Sequence, residues 1–139
     1  MTARFLLDTN VVSEPLRPAP HARVLARLEQ HRHVVAIAAP VWHELVFGLH
    51  RLPPSKKRDT VRRYLHDVVQ PTLDVLPYDA AAAEWHATER ARLDRLGTPP
   101  SFVDGQIAAI ARVHGLTLVT RNLAHFAPFD GLRVESWFD

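Results

Sequence analysis

The sequence predicts an α/β domain in which a parallel sheet is covered on both faces by helices. Two observations carry that prediction. Short apolar runs of strand length alternate along the chain with longer segments whose apolar residues recur at helical spacing. No internal repeat, low-complexity stretch or linker interrupts the alternation, so strands are joined by helical crossovers within one unit. At 139 residues and 47% hydrophobic composition, the chain suits a single domain, residues 1–139, with a substantial core.

The elements follow in order. Arg4 to Asp8 reads as a short buried strand, three large apolar residues ending on an acid. Thr9 and Asn10 are good helix N-caps and predict a short helix over Val11 to Glu14. Pro15, Pro18 and Pro20 then enforce an extended connection before a helix over His21 to Gln30, with Val24, Leu25 and Leu28 at helical spacing. Val34 to Ala38 is a second, β-branched strand. Pro40 suits the first turn of a helix whose buried stripe is Val41, Leu45, Gly48 and Leu49, with Glu44 beside it.

Pro53-Pro54 ends that helix, and Ser55 caps the next, where basic positions alternate with Val61, Leu65 and Val68. Leu73 to Leu76 predicts a third strand. Asp79 caps a long Ala-rich helix to about Leu96, closed by Gly97; Ser101 caps another through His114, closed by Gly115. Leu116 to Val119 is a further strand followed by Thr120-Arg121-Asn122. The tail from Gly131 to Asp139, with Leu132, Val134, Trp137 and Phe138, predicts a last short strand.

Four residues stand where strands hand over to helices or early in helices: Asp8, Glu44, Asp104 and Asn122. Converging, they would line a pocket with oxygen. Clustered carboxylates disfavour one another's ionisation until a cation or proton intervenes, and a hard divalent metal suits such a donor set. Ligands of open α/β sheets bind outside the carboxyl ends of the strands, the edge that Asp8 and Asn122 occupy. Asp104 lies in the first turn of the helix feeding the Asn122 strand. That turn is expected away from this edge unless the preceding loop reaches across. Each residue also has an ordinary explanation: Asp8 as a cap, Ser101 with Asp104 as a capping box, Glu44 as surface, Asn122 as a turn. Singly those explanations are favoured; the joint pattern points to the pocket.

Other chemistries fail on inspection. The absence of Cys removes disulfides, thiolate metal sites and cysteine nucleophiles, and suits a reducing compartment. Phe5-Leu6-Leu7 is too short for a signal peptide and no later run is long enough for a membrane span, so a soluble cytoplasmic protein is expected. His43-Glu44 begins a zinc-protease signature, but Phe47 stands where its second histidine belongs. Gly48, Gly97, Gly105, Gly115 and Gly131 are isolated, so no phosphate-cradling loop exists, and Ser13, Ser55, Ser101 and Ser136 lack a nucleophile elbow. A haloacid dehalogenase-like phosphatase would take Asp8 as nucleophile but needs an acid where Asn10 stands. Net charge is only +2, yet basic residues bunch at Lys56, Lys57, Arg58, Arg62 and Arg63, and at Arg90, Arg92 and Arg95. Either cluster alone reads as a solvated helix face; together they permit a polyanionic partner.

Phe-Leu-Leu-Asp8-Thr-Asn10-Val-Val-Ser-Glu, Pro40-Val-Trp-His-Glu44-Leu, Val-Asp104-Gly-Gln-Ile-Ala-Ala and Leu-Val-Thr120-Arg-Asn122-Leu-Ala-His-Phe126 follow one another in the chain. In type, order and setting they resemble PIN-domain proteins, and more narrowly the VapC-type toxins of bacterial toxin–antitoxin pairs. The resemblance implies a three-layer α/β/α fold with about five parallel strands and Asp104 at the pocket. It implies Asp8, Glu44 and Asp104 as the family's three acids and Asn122 at the fourth, often acidic, position, with Asn10 and Thr120 as supporting polar residues. It further implies Mg²⁺ or Mn²⁺ as cofactor and RNA hydrolysis by metal-activated water, with all four pocket residues as catalytic and metal-binding candidates. Its partner implications are RNA, a cognate antitoxin, and a homodimer using Trp42 and Val46 within a larger toxin–antitoxin assembly. Trp42 and Phe102 are candidate base-stacking residues, although core packing is the commoner role of such aromatics. The neutral Asn122 keeps an oxygen ligand but removes a charge, leaving open a second metal and an inactive RNA- or partner-binding domain.

Overall fold

A computed structural model describes residues 2–139 and contains one wholly parallel five-stranded sheet. Its strands are β1 (Phe5–Leu7), β2 (Val35–Ala38), β3 (Asp74–Leu76), β4 (Thr117–Val119) and β5 (Val134–Glu135), in the spatial order β3-β2-β1-β4-β5. Every residue of β1 and β2 is buried with no in-and-out alternation. That pattern requires cover on both faces of the sheet, as the apolar runs predicted. The edge strand β3 is short and largely exposed, which limits its pairing with other chains.

The crossovers are α1 (Thr9–Val12), α2 (Ala22–Gln30), α3 (Ala39–Arg51), α4 (Lys56–Arg63), α5 (Gln70–Thr72), α6 (Ala80–Arg95), α7 (Phe102–Val113) and α8 (Leu123–Phe126). Predicted caps close three of them: Ser55 Oγ accepts from the Arg58 N–H, Asp79 Oδ1 from the Ala82 N–H, and Ser101 Oγ from the Asp104 N–H. Gly97 and Gly115 end α6 and α7 with φ of 77° and 66°, a region costly for any residue with a Cβ. Leu6, Leu7, Ile37, Ile110 and Leu118 form the fully buried centre. Trp137 closes the sheet's far end against Phe5 and His31, with ring centroids 5.3 Å from each.

Three details differ from expectation. Of the three cap candidates it is Asp8 that caps the first helix, its carboxylate reaching the Thr9 N–H; the helix therefore starts two residues earlier than predicted and a tight 3₁₀ turn over Glu14–Leu16 follows. Gly48 is exposed while Val41, Leu45 and Leu49 are buried, a narrower stripe than predicted. Between α4 and α5 the chain widens into a π-helical turn over Tyr64–Val69. Pro71 explains the widening: it lacks an N–H and its ring would strike the carbonyl four residues back in a regular helix.

The widened turn carries Tyr64 inward, where its hydroxyl donates to the Val12 carbonyl at 2.6 Å and burial pushes its pKa up to about 12. This bond ties the π-helical turn to the end of α1. Tyr64→Phe leaves that carbonyl without its partner and is expected to cost about 1–3 kcal/mol. Urea unfolding checks this as a lower midpoint at unchanged slope.

Candidate functional site

The strand order reverses beside β1: β2 and β3 lie on one side, β4 and β5 on the other. A crevice forms at such a switch point, outside the carboxyl ends of the strands. Leu7 pairs with Val119 in parallel register, so the next residues along, Asp8 and Thr120, emerge side by side into that crevice. The ladder continues one step further on both, with the Asp8 N–H donating to the Val119 carbonyl at 2.9 Å and the Thr120 N–H to that of Glu135 at 3.1 Å.

Asp8 is only 9% exposed. Its Oδ1 accepts from the Thr9 N–H at 2.8 Å and its Oδ2 from the Thr120 hydroxyl at 2.8 Å, while the Asn10 amide lies 3.5 Å from Oδ2. The Asn10 carboxamide oxygen accepts from the Arg121 N–H at 3.1 Å, clamping the loop after β4 to the loop after β1. Burial raises the Asp8 pKa above its ordinary 3.8; the Thr120 and Thr9 hydrogen bonds oppose the shift, and the charges of Asp104 and Glu44 add to it. The acids thus meet electrostatically at Asp8.

Glu44 arrives from the second turn of α3, which starts directly at the end of β2, the strand beside β1. Its Oε2 accepts from the Thr9 hydroxyl at 3.0 Å, a link between positions 35 residues apart for which the sequence carries no signal beyond the helix-capping character of Thr9. Asp104 corrects a second expectation. Helix α7 runs back against the direction of β4, so its first turn, not its last, meets the carboxyl edge, and no loop need reach across. Asp104 is half-buried, and His125 Nδ1 of α8 stands 3.9 Å from its Oδ2. The only sequence signal for His125 was its place three residues after Asn122.

Asn122 meets the pocket through its backbone, whose N–H donates to the Thr120 hydroxyl at 3.1 Å; its exposed carboxamide makes no hydrogen bond among the described residues. Among those residues no three Asp, Glu or His side chains are gathered closely enough to hold a metal ion together. The donor set is open and hard. An ion that accepts one or two carboxylates and keeps its waters fits this arrangement, whereas a tetrahedral zinc site does not.

The PIN domain family matches residues 5–130. The chain is 36% identical to the toxin FitB of Neisseria gonorrhoeae, covering 97% of this chain and 99% of that protein. It is 33% identical to the tRNA(fMet)-specific endonuclease VapC of Shigella flexneri, covering 96% and 98%. Among solved structures, FitAB bound to an IR36 DNA fragment superposes with a TM-score of 0.90 at 33% identity, covering 97% of this chain and 96% of that one.

Because folding favours the protonated acid, Asp8 contributes stability below pH 3.8, and that contribution is lost as pH rises through the raised folded-state pKa. Asp8→Asn keeps an N-capping oxygen for the Thr9 N–H and removes the charge, with the Thr120 hydroxyl turning to accept from the amide NH2 that replaces Oδ2. The metal-free variant is therefore expected to melt a few degrees above wild type at neutral pH, the gap closing in acid. Calorimetry across pH in the presence of a chelator checks both halves.

Proposed function

Because the chain belongs to the PIN domain family, we propose that it is a metal-dependent endoribonuclease, the toxin of a toxin–antitoxin pair, that hydrolyses RNA phosphodiester bonds. The observation that carries this reading is the buried Asp8 carboxylate at the sheet's switch point, disfavoured as an anion by burial and by two neighbouring acids. A divalent cation turns that repulsion into affinity.

Asp8 and Asp104 would hold the cofactor, Mg²⁺ with Mn²⁺ as its substitute. When bound it would supply a water of lowered pKa for attack and positive charge beside the scissile phosphate. Glu44 orients the attacking water or holds a second ion, and Asn122 offers its amide oxygen. Thr120 and Thr9 each occupy one lone pair on Asp8, leaving the others free for the pocket. Thr9 also steadies Glu44, and the Asn10 clamp on Arg121 keeps the two strand-end loops together. The neutral Asn122 favours one tightly held ion.

Exposed cations on α4 track the phosphate backbone. The second basic cluster contributes less than its composition suggests. Arg92 is committed to both carboxylate oxygens of Glu89 and to the Pro128 carbonyl, leaving Arg90 and Arg95. Phe102 is 49% exposed two residues before Asp104, which suits a base-stacking role, whereas Trp42 is half-buried against His66. The apolar face around Trp42, Val46 and exposed Phe47 suits a homodimer contact, and an antitoxin chain restrains the pocket in the cytoplasm. No helix among the described residues is long and apolar enough to cross a membrane. A phosphatase reading gains nothing, since Asn10 is engaged as a clamp where that chemistry needs an acid.

Purified protein with Mg²⁺ is expected to cut RNA, assayed on total RNA and on tRNA(fMet), with Asp8→Asn and Asp104→Asn each losing about a hundredfold or more in rate. Full-rate cleavage by both folded variants would rule the mechanism out, and inert wild type would leave a binding domain. Thr120→Val, which removes only the hydroxyl that orients Asp8, is expected to weaken Mn²⁺ binding or activity by about 10–100-fold.

A further inference from the structure

His86 is a buried titratable group that the proposed chemistry does not use. It projects from α6, is 2% exposed, and its Nδ1 lies 2.7 Å from the Tyr78 hydroxyl. Its ring packs against Phe102 with centroids 4.8 Å apart. Its Nε2 is buried without a hydrogen-bond partner and faces Gly105, the residue after Asp104. A Cβ at position 105 would lie 2.1 Å from that nitrogen, 2.5 Å from Cδ2 and 3.0 Å from Cε1. The imidazole therefore occupies the space that any other residue at 105 would fill.

This contact is rigid on both sides. The Tyr78 bond and the Phe102 contact fix the ring's rotation, so it is not the free end of a flexible side chain. Gly105 sits in the first turn of α7, where Ser101 accepts from the Asp104 N–H through Oγ at 3.1 Å and from the Gly105 N–H through its carbonyl at 3.0 Å. An unpartnered Nε2 favours the neutral tautomer in which Nδ1–H donates to Tyr78, and burial together with the Arg90 charge lowers the pKa in the same sense. An apolar side chain would fill this space without an unsatisfied nitrogen. What the imidazole adds is a ring locked at one angle.

We propose that His86, held by Tyr78, is a positioning residue: a fixed stop against which the Gly105 notch of α7 seats, setting where Asp104 stands relative to Asp8. The inference rests on the reading of Asp104 as a cation ligand. Its sign differs from what helix propensity alone predicts. Alanine is the better helix former, so without the stop Gly105→Ala would slow amide exchange in the first turn of α7. With the stop, the turn must back away from the ring. The Asp104 amide, capped by Ser101, is then expected to exchange about tenfold faster. Mn²⁺ binding, followed by electron paramagnetic resonance, is expected to weaken about tenfold as well.

In the full-length double variant H86A/G105A the new methyl has the space of the lost ring, and both quantities return to within about threefold of wild type. His86→Ala alone leaves the turn without its stop, so the Asp104 amide exchanges about threefold faster or more. Slower exchange in Gly105→Ala, no recovery in the double variant, or unchanged exchange in His86→Ala overturns the proposal. Should Gly105→Ala not fold, folding of the double variant supports the stop and its failure to fold overturns it. Wild type that binds no Mn²⁺ refutes the metal reading, while the metal-free amide exchange still decides the role of His86.

Discussion

The parallel register between β1 and β4 is the constraint on which the rest of this site depends. With Leu7 opposite Val119, Asp8 and Thr120 leave the sheet as neighbours, and the 2.8 Å bond from the Thr120 hydroxyl to Asp8 Oδ2 follows from that pairing. A slip of one residue would turn one of the two side chains to the other face and break the pair. The register is held because β1 is buried on both faces and continues its ladder through the Asp8 N–H. The fully buried centre of the sheet therefore fixes where Asp8 and Thr120 stand.

Around that pair the molecule tolerates an electrostatic conflict. A carboxylate with two good donors would ordinarily be held below its usual pKa, yet burial and two further acids win at Asp8. The fold accepts weaker stability at neutral pH at this one position. The other two acids make their own contacts, Glu44 with the Thr9 hydroxyl and Asp104 beside His125.

Two of the ordinary explanations for the site residues hold in the structure. Asp8 does cap α1, and the Ser101 hydroxyl does cap the turn that carries Asp104. A capped helix start is rigid, and the N-terminal end of a helix faces the carboxyl edge of a parallel sheet because helix and strand run in opposite directions. That geometry removes the difficulty over Asp104, which arose from assigning the wrong end of α7 to the edge.

What the sequence determined by itself was local. The apolar runs at Phe5–Leu7 and Val35–Ala38, the caps at Ser55, Asp79 and Ser101, and the glycine stops at 97 and 115 depend on neighbours a few residues away, and the structure reproduces them. The four motifs also placed Asp8 at a strand end and Asp104 in the first turn of a helix, positions that are visible in one dimension. Tertiary structure alone decided the contacts that span the chain. Thr9 reaches Glu44 across 35 positions, Thr120 reaches Asp8 across 112, and Gly105 receives the ring of His86, a residue whose own sequence surroundings look like those of any Ala-rich helix. Such pairings depend on how α3, α6 and α7 pack on the sheet, and no periodicity records which side chain a packed neighbour will meet.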